Sequence, residues 1–397
     1  MSKGLKQTSV RLASFDECTG CGACVAVCRT NALSMKVDSE GFRRPVLASD
    51  KCVGCGKCGR ACPVISIPQE SSPIACFVAR SLDPAFRERS SSGGVFPVLA
   101  KQVLNRGGSV YGATMEFPSC CIRHVRINDF GQIARLQGSK YVQGDASACF
   151  PEIRDDLSAG KRILFSGLPC QVAALRSSLG SVPDNLFLID IICHGVPSAG
   201  VFLRYRDNMV SVDNRDGIVG FSFRDKNRGW SNTTPCWFLR KGIEQISIPD
   251  KLFTKAFTLD LFSRPSCHRC PFRNWRSGSD VTIGDHWDAA SRPKEWDDET
   301  GISSVVIRSK KGLDLWSSVP KSDILARKTT LENVLAGNPA LIRDPRRNRC
   351  RHLFFLLLRH CSFRTSAKVA LGLDWLLSLP GHLKPSELRK RFVRAKA

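Results

Sequence analysis

The stretch CTGCGACVAVC, residues 18–28, returns as CVGCGKCGRAC, residues 52–62. Each copy spaces its cysteines C-x2-C-x2-C-x3-C: Cys18, Cys21, Cys24 and Cys28, then Cys52, Cys55, Cys58 and Cys62. Three thiolates on short turns converge on one point in space. The fourth, a helical step later, points away. Two such blocks are expected to wrap two [4Fe–4S] cubanes, each lending its fourth cysteine to the other. The reading assigns Cys18, Cys21, Cys24 and Cys62 to one cluster, and Cys52, Cys55, Cys58 and Cys28 to the second. Gly20, Gly22, Gly54 and Gly56 stand between these ligands, where the backbone must turn tightly and its N–H groups can aim at cluster sulfurs. Zinc usually takes two separated pairs and would leave the repeated fourth cysteine unexplained. Disulfides need an oxidising compartment, and nothing in the sequence implies one. Pro63 follows Cys62, whereas Arg29 follows Cys28, a positive charge expected to raise that cluster's potential.

The spacing is that of a bacterial-type ferredoxin. Residues 1–70 are therefore expected to form a small α+β ferredoxin-like N-terminal domain. Between the two blocks, residues 32–37 and the turn at Glu40-Gly41-Phe42 read as a short hairpin. So small a core needs its clusters to supply much of the folding free energy.

The 397 residues allow two or three domains, one large enough for a full core. The N-terminal MSKGLKQTSVRLASF has no apolar h-region, so no secretory signal is expected. The apolar run Leu353 to Leu358 is far too short for a transmembrane segment. A cytoplasmic location is expected, where 19 cysteines point to ligation rather than bridging. Cys76, Cys120, Cys121, Cys149, Cys236, Cys350 and Cys361 lack ligand-like surroundings and read as small buried hydrophobes. The net charge of +23 fits an acidic partner or a membrane surface, or else a solvated face of no special meaning. No zinc-finger or RNP-type pattern is present, so nucleic acid is not expected. For a redox protein an acidic electron carrier is the natural partner, because steering raises on-rates.

Beyond a linker at residues 64–73 (VISIPQESSP), strands and helices alternate. Ile74 to Arg80 reads as a strand, Val95 to Val103 as a helix and Val110 to Thr114 as a strand. Arg162 to Phe165 and Leu186 to Ile192, apolar but for Asp190, are further strands, each followed by a Gly/Pro loop and a helix. A helix is expected across Lys251 to Phe262. This order predicts an α/β core with a largely parallel sheet, residues 74–335, and ligands at the strand C-terminal ends. Residues 336–397 are expected to be a basic helical tail. Packing on the core is favoured there, with peripheral membrane contact as the alternative.

Cys267-x2-Cys270-Pro271 is half of a metal site. Cys170 and Cys193 follow the two buried strands and should emerge at the same sheet edge. The four together are expected to hold a third [4Fe–4S] cluster, the alternatives being a redox-active CxxC or a structural thiol pair. Ser90-Ser91-Ser92-Gly93-Gly94 before a helix reads either as a phosphate-binding loop or as a serine cap with glycines for chain reversal. Gly138 to Gly144 (GSKYVQG) carries a cation and an aromatic ring, and reads as a nucleotide edge or an exposed turn.

Taken in order, SSSGGVFPVLAKQVL, GSKYVQGD, GKRILFSGLPCQVAALR, IDIICHGVPS, RPSCHRCPF and SDVTIGDHWD closely resemble the coenzyme F420 hydrogenase/dehydrogenase beta-subunit family. The resemblance runs from about residue 74 to about residue 345, and a preceding ferredoxin domain is a common fusion in that family. It implies an iron–sulfur flavoprotein with FAD. The family's phosphate loop falls on Ser91, Ser92, Gly93 and Gly94, and its flavin-adjacent segment on Ser139, Lys140 and Tyr141. Its core cluster falls on Cys170, Cys193, Cys267 and Cys270. FAD converts two-electron hydride chemistry into the one-electron steps of clusters. The expected activity is electron transfer between clusters and FAD, to or from an F420-like coenzyme or an organic substrate. The expected partner is an acidic carrier, either ferredoxin or the F420-like coenzyme, or a redox partner subunit. His194 and His286 are candidates for proton handling, against a hydrogen-bonded structural role for either. The other readings are a non-enzymatic electron-transfer subunit and a reductase in surface-polysaccharide biosynthesis.

Overall fold

The computed structural model describes residues 10–377, apart from 227–228, 232–233, 242–243 and 297–298. The first cysteine block turns through Gly20 (φ +65°) and Gly22 (φ +84°) into the short helix α1 (Ala23–Ala26). An antiparallel hairpin follows, β1 (Leu33–Val37) with β2 (Arg43–Leu47), pairing Leu33 with Leu47. The second block turns through Gly54 and Gly56, both at φ +67°, into α2 (Lys57–Arg60). The expected hairpin between the blocks is present.

The core elements run β3 (Ala75–Ser81), α3 (Pro84–Arg89), α4 (Val95–Leu104), β4 (Ser109–Glu116), β5 (Cys121–Ile127), α5 (Cys149–Ser158), β6 (Ile163–Gly167), α6 (Pro169–Leu179) and β7 (Leu186–Ile191). Then come α7 (Ala199–Met209), β8 (Ile218–Ser222), β9 (Cys236–Lys241), β10 (Glu244–Pro249), α8 (Leu252–Thr258), β11 (Val281–Asp285) and β12 (Ser303–Ile307). The chain closes with α9 (Lys310–Ser317), β13 (Ile324–Thr329), α10 (Leu331–Gly337), α11 (Arg351–Leu358) and α12 (Phe363–Leu377). An eight-stranded sheet has the order β13-β3-β12-β11-β7-β6-β4-β5.

The four central strands β11, β7, β6 and β4 are mutually parallel, as the strand–helix alternation predicts. The flanking pairs are antiparallel. The sheet is thus parallel at its centre and mixed overall. β7 shows why the centre is dry. Leu186 and Leu188 face Phe150, Val172 and Leu175 of α5 and α6, while Phe187 and Ile189 face Leu99 and Val103 of α4. Both faces of one apolar run are buried. At the edge, β13 carries Arg327 and Lys328 outward, which discourages further strand addition.

A second layer forms on the three-stranded antiparallel sheet β10-β9-β8. Its core is aromatic: Phe202, Tyr205, Phe221, Phe223, Trp237 and Phe253 pack ring on ring. Helix α8 ends at Thr258, earlier than its apolar pattern predicts, and Asp260 beyond it takes φ +55°. Phe354 of α11 and Phe363 of α12 pack on Phe262, so the described part of the basic tail docks on the core. Residues 378–397 of the expected tail lie outside the described residues. Among the described residues no helix is long and apolar enough to cross a membrane.

The cysteine module is held to the core at several points. Gly200 N–H donates to the Gly41 carbonyl at 3.1 Å. Arg351 Nη1 bonds Glu40 Oε1 at 2.9 Å, and Arg43 pairs with Asp145. The linker is tied down as well, because Arg308 Nη2 donates to Ser71 Oγ at 2.7 Å.

Candidate metal centres and cofactor cavity

The twelve cysteines singled out in the sequence fall into three groups of four. Cys28, Cys52, Cys55 and Cys58 line a cavity of about 310 Å³ together with Arg29 and Lys57. Cys18, Cys21, Cys24 and Cys62 stand within electrostatic reach of one another. Burial pushes the Cys21 thiol up to about 11, and neighbouring Cys62 and Cys18 add to the shift. Each block's fourth cysteine thus sits with the other block. Cys170, Cys193, Cys267 and Cys270, from three distant stretches, line one smaller cavity.

The parallel strands deliver the third group. β6 ends at Gly167, and Pro169 opens α6 with Cys170 in its first turn. The adjacent β7 ends at Ile191, two residues before Cys193. Cys267 lies in a 3-10 turn over Pro265–Arg269, and the Cys270 N–H is anchored on Asp344 Oδ1 at 3.1 Å. Burial raises all four thiols: Cys193 to about 11, Cys267 to about 12, Cys170 and Cys270 in the same direction. The Cys170 thiol is raised further by Cys193 and by Cys21 of the module, so the second and third groups are neighbours.

The donor set fits iron–sulfur clusters. All nineteen cysteines are free thiols. The thiols of two of the three quartets stand around cavities. Sulfur-only ligation suits an iron–sulfur core. The wall of the third cavity holds Arg264, Arg273 and Arg308 against one acid, Asp190. Asp190 is itself engaged by Thr282 Oγ1 at 2.5 Å. Such a basic wall suits an anionic occupant.

A larger cavity, about 760 Å³, lies beside this group and shares Ile191, Arg273 and Ala340 with its wall. Ser91, Ser92, Gly94, Ser139, Lys140 and Tyr141 all line it. Gly94 (φ +78°) is the N-cap of α4, and no side chain caps that helix. Its first N–H groups are therefore open to an anion. Ser91 Oγ accepts from the Ser139 N–H and so ties the two predicted segments together. Gly93 is the exception. It packs against the sheet, where an added Cβ would lie 2.6 Å from the Ala79 carbonyl oxygen, and it does not line the cavity. Its role is close packing rather than contact.

Lys140 donates to the Gln137 carbonyl at 2.7 Å, and burial lowers its pKa to about 7. His194 lines the cavity, and burial pushes its pKa down. His286 does not line it. It is fully buried, and its ring nitrogens meet Ser304 Oγ at 2.9 Å and Ser291 Oγ at 3.0 Å. That is the hydrogen-bonded role weighed against proton handling.

Several lining residues carry no sequence signal. Asp285 is held by Arg224 Nη1 at 2.6 Å and Trp230 Nε1 at 3.2 Å. Arg343 and Arg346, at the start of the basic tail, also face the cavity. Thr254 Oγ1 and Arg273 Nη1 are buried with no hydrogen-bond partner among the described residues, and both residues line the wall. An open helix N-terminus, orphaned polar atoms and this volume fit a phosphate-bearing cofactor such as FAD.

Residues 160–332 match the family model for the C-terminal part of the beta subunit of coenzyme F420 hydrogenase/dehydrogenase. Residues 17–65 match a 4Fe-4S dicluster domain. The chain is similar to the F subunit of the F(420)H(2) dehydrogenase of Methanosarcina mazei, at 29% identity over 313 residues, covering 75% of this chain and 80% of that protein. It is also similar to a chain in the F420-reducing [NiFe] hydrogenase complex from Methanosarcina barkeri. That alignment has a TM-score of 0.47 and 18% identity, covering 78% of this chain and 92% of the other.

Proposed function

We propose, for a chain that belongs to the coenzyme F420 hydrogenase/dehydrogenase beta-subunit family, an iron–sulfur flavoprotein oxidoreductase joining a one-electron partner to a two-electron substrate. Three cysteine quartets would hold [4Fe–4S] clusters: Cys28/Cys52/Cys55/Cys58, Cys18/Cys21/Cys24/Cys62, and Cys170/Cys193/Cys267/Cys270. FAD would occupy the large cavity. One observation carries the reading. The third quartet's cavity shares Ile191, Arg273 and Ala340 with the large cavity, while Cys21 of the module acts electrostatically on Cys170 of the same quartet. The redox sites would then lie in contact from the module to the flavin.

When bound, FAD supplies the exchange between hydride transfer and single-electron transfer. The chain's own residues do the rest. The α4 N-terminus with Ser91 and Ser92 would hold the pyrophosphate, and Arg273 would offer its unpaired Nη1 to the same ligand. Lys140 and Tyr141 would edge the isoalloxazine ring. His194, neutral by burial, would relay a proton within the cavity. Arg343 and Arg346 at the rim suit an acidic substrate such as an F420-like coenzyme.

A second reading is an electron-transfer subunit with no substrate of its own. It is favoured by the accessible Cys55 and by the Methanosarcina mazei relative, which is one subunit of a larger dehydrogenase. Anaerobic purification with iron, sulfide and flavin counted per chain tests both. About twelve irons and one FAD are expected for three cubanes. About twelve irons without flavin would favour the second reading, and about eight irons without flavin would sink the relay altogether.

A further inference from the structure

Arg264 is fully buried where the cysteine module meets the core. Its Nε donates to Gln143 Oε1 at 3.0 Å, its Nη1 to the Cys18 carbonyl at 3.2 Å, and its Nη2 to the Arg43 carbonyl at 3.0 Å. The guanidinium also stacks over Phe42, 4.7 Å from the ring centroid. Every one of these partners is neutral. Among the described residues no carboxylate forms an ion pair with it. Asp38, whose charge acts on it, is already paired with Arg44 at 2.6 Å.

A guanidinium keeps its proton in proteins, so this cation cannot escape by neutralising. Burying it without an anion is strongly unfavourable. The anions must come from what surrounds it. On one side Arg264 holds the backbone of Cys18; on the other it lines the cavity of Cys170, Cys193, Cys267 and Cys270. Four thiolates outnumber the positive charge of a [4Fe–4S] core, so each occupied site is anionic.

Gly20 keeps the approach open. A Cβ there would lie 2.7 Å from Arg264 Nη2. The glycine between Cys18 and Cys21 thus serves the turn and the guanidinium together. Gln143 completes the setting: its Nε2 donates to the Thr19 carbonyl at 2.7 Å, which turns its oxygen to Arg264.

We infer that Arg264 is a shared counter-cation of two adjacent clusters, those of Cys18/Cys21/Cys24/Cys62 and Cys170/Cys193/Cys267/Cys270, and raises both potentials together. The inference rests on the proposed cluster assignment. Reduction of either cluster takes one electron from the docked one-electron carrier protein and adds no proton. The reduced site is more anionic, and a fixed buried cation stabilises it over the oxidised one. Arg264 is a positioning residue in this sense, acting on charge rather than on substrate. The remote cluster of Cys28/Cys52/Cys55/Cys58 shares no contact with it and is the internal control.

The test is an EPR-monitored redox titration of the full chain, purified anaerobically, for wild type, Arg264→Gln, Arg264→Lys and Gln143→Glu. Iron is counted first. Arg264→Gln removes the charge, and Gln143→Glu cancels it in place. Both are expected to lower the two adjacent potentials, changing the oxidised-to-reduced ratio at fixed solution potential by tenfold or more, ~59 mV for one electron. Arg264→Lys should stay near wild type, and the remote cluster should not move in any variant. Full iron with unmoved potentials in Arg264→Gln and Gln143→Glu overturns the inference, as does an equal shift of all three clusters. If Arg264→Gln loses iron, Gln143→Glu decides, because it keeps the guanidinium in place. A wild type with about eight irons would overturn the cluster assignment as well, and that is read before any variant is made.

Discussion

The Lys140 ammonium sits in the cavity wall with its pKa lowered to about 7 by burial. An anion bound beside it would restore the charged form and raise that pKa. Between the two values the complex holds a proton that the free protein lacks. Binding of an anionic ligand is therefore linked to proton uptake, full affinity lies below pH ~7, and affinity falls as pH rises, by at most about tenfold per unit. Flavin titration of the apoprotein from pH 6 to 9 should show this slope. Lys140→Met should bind more weakly at pH 6 and lose the slope. At this scale the sequence is legible where ligands are close neighbours. Cys18, Cys21 and Cys24 announce themselves by spacing, and Cys62 and Cys28 follow from the repeat. Arg264 does not, since Cys18, Gln143 and Arg264 meet only in the folded chain. Nor do Thr254 and Arg273, which are ordinary residues in ordinary contexts until the cavity closes around them.

Elements deliver these side chains. Two parallel strands side by side, β6 and β7, end at the same sheet edge, and so Cys170 and Cys193 emerge together. That was readable because Leu186 to Ile189 is an apolar run and the loops after both strands carry Gly and Pro. The antiparallel flanks were not readable. β12 is a five-residue run with no alternation, all of it buried, and β13 is a polar edge strand. Which neighbour each chooses is fixed by tertiary packing, not by local pattern. The contact between hairpin and α7 makes a prediction of its own. Gly41 has φ +83°, and an added Cβ would lie 2.5 Å from Gly200 Cα. Gly41→Ala meets both the backbone penalty and the clash. It should cost about 2–4 kcal/mol, read as a lower denaturant midpoint. Protease should also cut faster within residues 64–73, because the module would no longer be held.

The whole molecule carries a charge of +23, and part of it is placed where electrons would enter. Arg29 and Lys57 line the cavity of the remote quartet, with Lys51 and Arg60 exposed nearby and Asp50 the one acid among them. We expect the double change Arg29→Glu with Lys57→Glu to slow reduction by an acidic ferredoxin, on the order of tenfold at low salt. The effect should shrink as ionic strength rises. Stopped-flow rates at two salt concentrations would show it, and a salt-independent loss would point to damage at the cluster instead.

The docking of the module also sets a schedule. Glu40 is bound by Arg351, 311 residues further along the chain. The other anchors, Asp145, Gly200 and Arg264, are spread between them. During synthesis from the N-terminus, the eight thiols of the module emerge first and have nothing to dock on. Their full set of anchors is complete only once Arg351 has been made. Contacts so distant in sequence form late, after the loop between them closes. The module can thus be filled while still accessible, and the Arg351–Glu40 contact of α11 is the last of these anchors to become available.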